Sequence, residues 1–232
     1  LDKITSSLQD TVMDMRLVPL KKVVSKFPRL VRDLAREQEK EIDFEMQGQD
    51  IELDRTILNE ISDPLMHLLR NAVDHGIEPP EEREANEKPR EGKVLLRASR
   101  SRDRVTIEVV DDGGGMDADS LRQKAVSEGI MTREKADALS DEEAYELIFH
   151  AGFSTNDEVT DVSGRGVGMD VVSNTITRLD GDISVESEIG EGTTVSLSLP
   201  VTVAIVKVLF VESGDEEYGI PIKNVDEIRR MG

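Results

Sequence analysis

The chain has 232 residues, of which 37% are hydrophobic and 34% charged, and its formal net charge is −20. We expect a globular chain with one substantial core and no membrane insertion, because no apolar run approaches the ~20 residues that a spanning helix needs. The acidic balance argues against nucleic acid as a partner, since nucleic acid attracts a basic face. The sequence has no cysteine, which excludes disulfides and cysteine-ligated metals and fits a cytoplasmic location.

The first residues predict one end of a long helix. The chain begins in mid-pattern, without an initiator methionine or a signal peptide, so we expect a segment of a longer protein. The apolar stripe either packs on the chain's own core or forms half of a helical hairpin between chains, and the mid-pattern start favours the hairpin. Its apolar residues recur every three to four positions: Ile4, Leu8, Val12 and Met15.

Helical spacing resumes after Pro19 and predicts a second helix from Val23 to about Gln38. Charged and apolar residues then alternate over Glu41–Met46, which predicts a half-buried strand. The next apolar stripe predicts a long helix from Asp54 to Gly76, bent or restarted at Pro64.

The other face of this long helix is polar. Histidine and asparagine lie one helical turn apart on it, and such a face resembles a ligand-binding wall more than a solvated surface. Carboxamide oxygen is also a suitable ligand for Mg²⁺, which prefers oxygen and bridges nucleotide phosphates. The polar positions are Glu60, His67, Asn71 and Asp74.

The segment Ile77–Gly92 has tandem prolines, dense charge and no periodicity, and predicts an exposed loop. Two strands are expected next, over Lys93–Ser99 and Arg104–Val110, with a turn at Ser101-Arg102-Asp103. The second strand leads directly into Asp111-Asp112-Gly113-Gly114-Gly115-Met116.

The stretch that begins at Asp111 has two interpretations. A strand-end carboxylate can accept hydrogen bonds from an amine, and glycines let a ligand lie against the backbone, so the stretch suits a flat base that carries an amino group. Asp-Gly is also a strong turn signal, and the stretch could be a polar hairpin with Asp112 as a turn residue. Taken alone, the two interpretations are equally open.

Short helices are expected over Asp117–Glu128, Thr132–Leu139 and Asp141–His150, the last with Ser140 and Glu143 as a capping box. The following stretch, Ala151–Ser163, is small and polar and should be mobile.

A glycine-rich turn, Gly164-Arg165-Gly166-Val167-Gly168-Met169, then opens a helix. The unpaired amides and the dipole at such a helix start attract phosphate. The expected apolar face of that helix comprises Val171, Val172, Ile176 and Leu179.

The residues Ile183–Ser187 and Thr194–Leu199 alternate and predict a terminal hairpin of the sheet. Pro200 marks a boundary, and the strands expected beyond it read as the start of a separate β-domain. Two common nucleotide folds fit poorly, because no Walker A loop occurs and Gly164-x-Gly-x-Gly follows a polar loop instead of a strand.

In their order, these motifs resemble the boxes of the ATP-binding domain shared by gyrase, Hsp90, MutL and the histidine kinases. The N box corresponds to His67–Gly76 and the first glycine box to Asp111–Gly115. The F-box-like stretch is Phe149–Phe153, the second glycine box is Gly164–Gly168, and the last box is Gly192-Thr193-Thr194. The resemblance implies an α+β fold, a two-layer α/β sandwich (the Bergerat fold) with a mixed sheet, helices on one face and an ATP lid.

Three longer stretches are similar to chemotaxis histidine kinases of the CheA family: Met15–Leu20, His67–Glu78 and Gly164–Val172. The gyrase-like ATPases carry a glutamate where this chain has His67. The resemblance implies three parts: the end of a dimerisation helix (1–16), the ATP-binding catalytic domain (17–200) and the start of a CheW-like regulatory β-domain (201–232).

The resemblance implies an enzyme that transfers the γ-phosphoryl group of ATP, with Mg²⁺, to a histidine on a separate phosphotransfer domain. The expected partners are that domain, a CheW-like coupling protein, chemoreceptors, response regulators and a second copy of the full-length chain. Two alternatives remain: an ATPase of the gyrase, Hsp90 or MutL kind, or a nucleotide-binding scaffold without transfer activity.

His67 and Asn71 would be the catalytic residues, and Asn71 the metal ligand. His67 could take the proton of the attacking histidine or contact phosphate, and Arg70 and Arg165 could contact phosphate or form surface ion pairs. Asp111 would bind the adenine amino group. The implied nucleotide-binding residues are Asn71, Asp74, His75, Asp111, Gly113, Gly115, Met116, Phe149, Ser163, Gly164, Arg165, Gly166, Val167, Gly168, Met169 and Thr194.

Overall fold

The computed structural model describes residues 16–153, 168–202, 208–213 and 216–221. The expected entry helix, most of the expected mobile stretch and the turn from Gly164 to Val167 lie outside these residues. Within them, no helix combines the length and the apolar character that crossing a membrane would require.

Helices and strands alternate along the described chain. The helices are α1 (Lys21–Val24), α2 (Phe27–Glu37), α3 (Arg55–Asn71), α4 (Pro80–Ala85), α5 (Ala118–Ser127), α6 (Arg133–Asp137), α7 (Asp141–Glu146) and α8 (Met169–Arg178), with a π-helical turn at Ala72–Gly76 and a 3-10 turn at Leu147–Phe149. The strands are β1 (Leu17–Pro19), β2 (Ile42–Gln47), β3 (Glu52–Asp54), β4 (Gly92–Ser101), β5 (Arg104–Asp111), β6 (Asp182–Glu188), β7 (Gly192–Pro200), β8 (Val208–Ser213) and β9 (Glu216–Pro221).

A five-stranded sheet organises the fold, in the order β2-β4-β5-β7-β6. The β2–β4 pair is parallel and the other pairs are antiparallel, so the sheet is mixed. Alternate residues of β5 are buried, as the sequence alternation predicts. Helices α2, α3 and α8 share one apolar core with this sheet, which confirms the α+β, two-layer architecture.

Helix α3 is the main core helix and carries the polar wall on its other side. Asp54 caps it by accepting a hydrogen bond from the Thr56 amide at 2.7 Å. The helix is continuous through Pro64, which is buried, so the expected restart there does not occur. Burial of each large aliphatic side chain contributes about 1.5–3 kcal/mol. The fully buried ones are Ile57, Leu58, Ile61, Leu65 and Leu69.

The segment Ile77–Gly92 is not the exposed loop that the sequence predicts. It contains helix α4, which begins at Pro80, and the Arg83 side chain in that helix is 0% exposed. Proline suits a first helical position, because it needs no amide partner there. The segment has no apolar periodicity because its central buried residue is an arginine held by polar partners.

Two details of the C-terminal half refine the expectations. The capping box of Ser140 and Glu143 is present at the start of α7, as predicted. In α8, Val172 and Ile176 are buried, but Val171 is 39% exposed and does not belong to the apolar face.

The chain divides into two compact units, residues 1–202 and 203–232. Val201 belongs to the first unit, since its side chain is buried there and its amide donates to the Asp103 carbonyl oxygen at 2.9 Å. In the second unit, β8 and β9 form an antiparallel hairpin.

Candidate functional site

The polar wall predicted on α3 runs on into the π-helical turn at Ala72–Gly76. Lys40 holds this turn by donating to the carbonyl oxygens of Val73 and Asp74, at 2.7 and 3.0 Å. The Gln38 amide donates to the Asp74 carboxylate. The wall is therefore fixed from outside α3, by the residues that join α2 to β2.

His67 is half-buried on this wall. Burial, followed by the positive charge of Arg70, lowers the pKa of its imidazole below the ordinary value, and the nearby carboxylate of Asp170 acts in the opposite direction. The imidazole is therefore neutral at neutral pH and able to accept a proton or a hydrogen bond.

Asn71, one turn along, contacts the start of α8. Its Nδ2 lies 3.0 Å from the Sδ of Met169. A thioether sulfur can only accept, so the atom facing it is the amide nitrogen, and none of the residues that the structure describes donates to the carboxamide oxygen.

Asp111 ends β5 with its side chain almost buried, at 7% exposure. Burial raises the pKa of its carboxyl to about 6, although hydrogen bonds from the Gly113 and Thr193 amides lower it. The Gly113 amide lies 3.0 Å from Oδ1. Asp111 is therefore a buried acceptor that is ionised above about pH 6.

The first glycine box packs directly on the N box. A Cβ on Gly76 would lie 2.9 Å from the Asp111 carboxyl, and one on Gly113 would lie 2.0 Å from the Gly76 carbonyl oxygen. Gly115 has a φ of +71°, and a Cβ there would lie 2.1 Å from the Glu188 carbonyl oxygen. Gly113 and Gly115 are therefore needed because a side chain at either position would clash with neighbouring backbone. The sequence had suggested a different reason, namely space for a ligand.

In the last box, Gly192-Thr193-Thr194, the threonine paired with Asp111 is Thr193, whereas the sequence-based expectation was Thr194. The β5–β7 register pairs Asp111 with Thr193 and Val110 with Thr194. Because neighbouring residues of a strand face opposite sides of the sheet, Thr194 faces away from the Asp111 side chain. The register therefore brings Thr193, and not Thr194, to the candidate site.

Three predicted residues border this site more loosely. Met116 donates its amide to the Ser187 hydroxyl at 2.9 Å, next to the glycine box. Met116 and Phe149 are partly buried against a second apolar cluster that contains Tyr145 and Phe153. His75 is exposed at the end of the π-helical turn.

The described part of the second glycine box begins at Gly168, which caps α8. The Gly168 carbonyl oxygen accepts from the Val171 amide at 3.1 Å. The other predicted residues of this box, Gly164, Arg165, Gly166 and Val167, and the preceding Ser163 lie outside the described residues.

The chain matches the family of histidine kinase-, DNA gyrase B- and HSP90-like ATPases over residues 60–203. It belongs to this family. The matched region includes the N box, the glycine boxes and the hairpin that carries Thr193, and it is an ATP-binding domain of the family.

Curated proteins that are similar to this chain over nearly its whole length include chemotaxis proteins. The chain is 71% identical over 231 residues to the chemotaxis protein CheA of Halobacterium salinarum, covering 100% of the chain and 35% of that protein. It is 45% identical to CheA of Bacillus subtilis, covering 97% of the chain and 34% of that protein. The chain thus spans about a third of the length of these relatives.

The fold of the family is also found in a solved structure of full-length ShkA in complex with AMPPNP. That structure has a TM-score of 0.50 and 22% sequence identity, and the match covers 81% of this chain and 32% of ShkA. At this identity the likeness shows the fold alone, and it agrees with the two-layer architecture described above.

The described residues of this domain offer a metal ion single donors and no cluster of ligands. Within the described residues, no group of three or more histidine, cysteine, aspartate or glutamate side chains could hold a metal ion. A metal with a single protein ligand such as the Asn71 carboxamide oxygen would take its other ligands from phosphate and water, as Mg²⁺ does in nucleotide sites. The donor set therefore fits Mg²⁺ delivered with a nucleotide.

One group of residues beside the site was not predicted from the sequence: Glu78, Arg83 and Lys88, which lie in the segment expected to be a loop. Arg83 and Lys88 donate to the carbonyl oxygens of Asp112 and Gly113, and Glu78 pairs with both cations. Apolar periodicity gives no signal for such a group. The sequence offers two hints: the tandem proline at the start of α4 and the family resemblance over His67–Glu78, which includes the first member of the group.

Proposed function

We propose that this chain is the ATP-binding catalytic segment of a chemotaxis histidine kinase, which transfers the γ-phosphoryl group of ATP to a histidine on a separate phosphotransfer domain. The observation that carries the proposal is the 71% identity to CheA of Halobacterium salinarum over the whole chain. The closeness of the buried Asp111 carboxylate to the N box supports a nucleotide site between these motifs.

The proposal gives the base-reading role to Asp111. Above about pH 6 its carboxylate is ionised and can accept a hydrogen bond from the adenine amino group. Guanine carries a carbonyl oxygen at that position, so the same carboxylate disfavours it. Thr193, which pairs with Asp111 across the sheet, replaces Thr194 as the threonine proposed beside the base.

Asn71 is the proposed ligand of Mg²⁺, because its nitrogen is engaged by Met169 and its oxygen remains available. When bound, Mg²⁺ would neutralise phosphate charge and help to align the triphosphate. Asp74 and His75 would lie along the triphosphate, and the amides of Gly164–Gly168 would bind its phosphates from the lid side.

His67 is the proposed catalytic residue of the transfer step. A neutral imidazole at this position can orient the attacking histidine or accept its proton, and its lowered pKa supports either role at neutral pH. The transfer itself needs in-line positioning and charge stabilisation more than covalent chemistry from the protein.

The chain covers about a third of its CheA relatives, so we also propose how it is placed in a longer protein. Residues 1–16 would end a dimerisation helix, residues 17–202 would form the catalytic domain, and residues 203–232 would begin a CheW-like regulatory domain, two residues later than the sequence suggested. We propose a cytoplasmic homodimer that works with a CheW-like coupling protein, chemoreceptors and response regulators.

Transfer of labelled phosphate tests the proposal. The chain is mixed with the phosphotransfer domain of its own full-length protein and γ-labelled ATP with Mg²⁺, and label is expected on a histidine of that domain. Asp111→Asn should abolish the labelling, whereas the control Asp182→Asn, at an exposed ion pair with Arg104, should not. Phosphate released only to water would favour a gyrase-like ATPase, and absence of nucleotide binding by the unmodified chain would overturn the proposal.

A further inference from the structure

Arg83 is the centre of a buried ionic cluster behind the first glycine box. Its side chain is 0% exposed, and its Nε donates to the Pro89 carbonyl oxygen at 2.7 Å. Its two terminal nitrogens reach the Glu78 carboxylate at 3.0 Å and the Asp112 carboxylate at 3.0 Å. Nη1 also donates to the Asp112 carbonyl oxygen at 3.1 Å.

Lys88 completes this cluster. Its ammonium lies 2.9 Å from Glu78 Oε1 and 2.6 Å from the Gly113 carbonyl oxygen. Both carboxylate oxygens of Glu78 are thus paired with a cation. We call Glu78, Arg83 and Lys88 together the cationic bracket.

The bracket binds the carbonyl oxygens of two successive peptide groups, those that follow Asp112 and Gly113. Arg83 binds the carbonyl oxygen of the Asp112–Gly113 peptide, and the N–H of the same peptide donates to Asp111 Oδ1. Lys88 binds the carbonyl oxygen of the Gly113–Gly114 peptide, and the N–H of that peptide donates to the Gly76 carbonyl oxygen at 3.0 Å.

A trans peptide is planar, with its C=O and N–H pointing in opposite directions. A cation that fixes the carbonyl oxygen therefore also fixes the direction of the N–H on the far side. Glycine backbone rotates more freely than that of other residues, so losing the bracket should loosen these two N–H groups on Asp111 and Gly76, although the Gly190 amide still holds the Gly114 carbonyl oxygen at 2.8 Å.

We propose that Arg83 and Lys88 are positioning residues for base recognition, which act through these two peptide planes on Asp111 and Gly76. The inference rests on the proposed ATP-binding function and adds to it the residues that set adenine selectivity. Arg83 suits its place because a planar guanidinium can serve several acceptors at fixed angles, which an ammonium cannot.

Nucleotide titration tests this proposal on four proteins: the unmodified chain, Lys88→Met, Arg83→Lys and the control Arg90→Gln. Arg90 lies in the same segment, but its ion pairs are exposed and join Glu41, Glu81 and Glu84 without touching the glycine box. The Kd for Mg²⁺-ATP and for Mg²⁺-GTP is measured by calorimetry for each protein.

Lys88→Met is expected to raise the Kd for ATP about tenfold, which corresponds to about 1.4 kcal/mol. The Kd for GTP should rise less, so that the preference for ATP over GTP falls. Arg83→Lys should act in the same direction, and Arg90→Gln should change both constants less than twofold. A folded Lys88→Met chain with an unchanged ATP preference would overturn the proposal.

A second measurement works without nucleotide. Because the Gly113 amide lowers the pKa of Asp111 and Arg83 holds the peptide that carries this amide, Arg83→Lys should raise that pKa further at unchanged net charge, and carbon NMR of the Asp111 carboxyl reports it. An unchanged Asp111 pKa in Arg83→Lys would overturn the positioning role of Arg83. If the unmodified chain bound no ATP, the proposed function would be wrong. The NMR titration needs no nucleotide, so it would still show whether the bracket positions the Gly113 amide on Asp111.

Discussion

The carboxamide Nδ2 of Asn71 lies 3.0 Å from the sulfur of Met169, and this contact joins the end of α3 to the first residue of α8. Asn71 belongs to the N box, whereas Met169 directly follows the second glycine box. The contact therefore ties the proposed metal ligand to the helix that the glycine-rich turn leads into.

Met169→Leu should weaken Mg²⁺-dependent ATP binding. The substitution keeps the volume of the side chain but removes the acceptor that orients Asn71. A net hydrogen bond contributes about 0.5–1.5 kcal/mol, so we expect an increase in Kd of roughly two- to tenfold. Calorimetry with Mg²⁺ and with EDTA measures the effect, which should be confined to the titration with Mg²⁺.

The control for this prediction is Met66→Leu, which changes a partly buried methionine in α3 that packs against the same core. It should leave the Kd for ATP unchanged. Equal loss of affinity in both variants would mean that core packing, and not the Asn71 contact, is responsible.

Asp111→Asn should stabilise the nucleotide-free fold while it destroys base recognition. The pKa of this carboxyl is raised from 3.8 to about 6 by burial, so at pH 8 its charge costs the folded state about 3 kcal/mol. Asparagine keeps an oxygen for the Gly113 amide without carrying that charge. Urea unfolding at pH 8 should therefore give a higher free energy of unfolding for the variant.

The sign of the pH dependence follows from the same shift. A group whose folded pKa is raised contributes stability that is fully present below its unfolded pKa, about 3.8, and is lost as pH rises through about 6. The advantage of Asp111→Asn should thus be complete above about pH 6 and should disappear near pH 4. An advantage that stayed constant over this range would rule out the buried charge as its cause.

The sequence was most informative where structure is determined locally. The periodicity of α3 and the capping box of Ser140 and Glu143 depend on neighbouring residues alone, and both are found where predicted. The contact between Gly76 and Asp111 joins residues far apart in the chain, and only the resemblance to known boxes suggested it.

Two differences between the structure and the expectations from the sequence have separate physical causes. Thr193 and Thr194 are adjacent, and only the strand register decides which one faces Asp111, so composition and spacing could not choose between them. Arg83 is buried through ion pairs instead of apolar contacts, so its segment resembles an exposed loop in any hydrophobicity pattern.

The three glycines after Asp112 should respond differently to alanine. Gly113→Ala would bring a methyl group within 2.0 Å of the Gly76 carbonyl oxygen, and Gly115→Ala would add a strained φ to a 2.1 Å approach to Glu188. At Gly114 the nearest atom, Cγ of Glu78, would lie at 3.8 Å, an ordinary contact. We expect losses of about 2 kcal/mol or more for the outer two substitutions and under about 0.5 kcal/mol for Gly114→Ala.

Urea unfolding of the three alanine variants measures these differences, and Gly114→Ala is the internal control. It should also retain ATP binding, because the Gly114 amide still donates to Gly76. A Gly114→Ala chain as unstable as Gly113→Ala would mean that general flexibility, and not backbone contact, explains the glycines.

Lys40→Met should loosen the π-helical turn that carries Asp74 and His75. The methionine keeps most of the apolar stem but cannot donate to the carbonyl oxygens of Val73 and Asp74, which Lys40 reaches at 2.7 and 3.0 Å. Part-buried acceptors without their donor cost about 1–3 kcal/mol. We therefore expect this loss in the free energy of unfolding, whereas Lys22→Met, at an exposed lysine of α1, should be neutral.

Hydrogen exchange locates the effect of Lys40→Met. The Ile77 amide closes the turn by donating to the Ala72 carbonyl oxygen at 2.8 Å, so its exchange should become faster than in the unmodified chain. Amides in the middle of α3 should change only by the global loss of stability. If the Ile77 amide exchanged no faster than those amides, Lys40 would stabilise the fold generally and would not hold the turn that positions the N box.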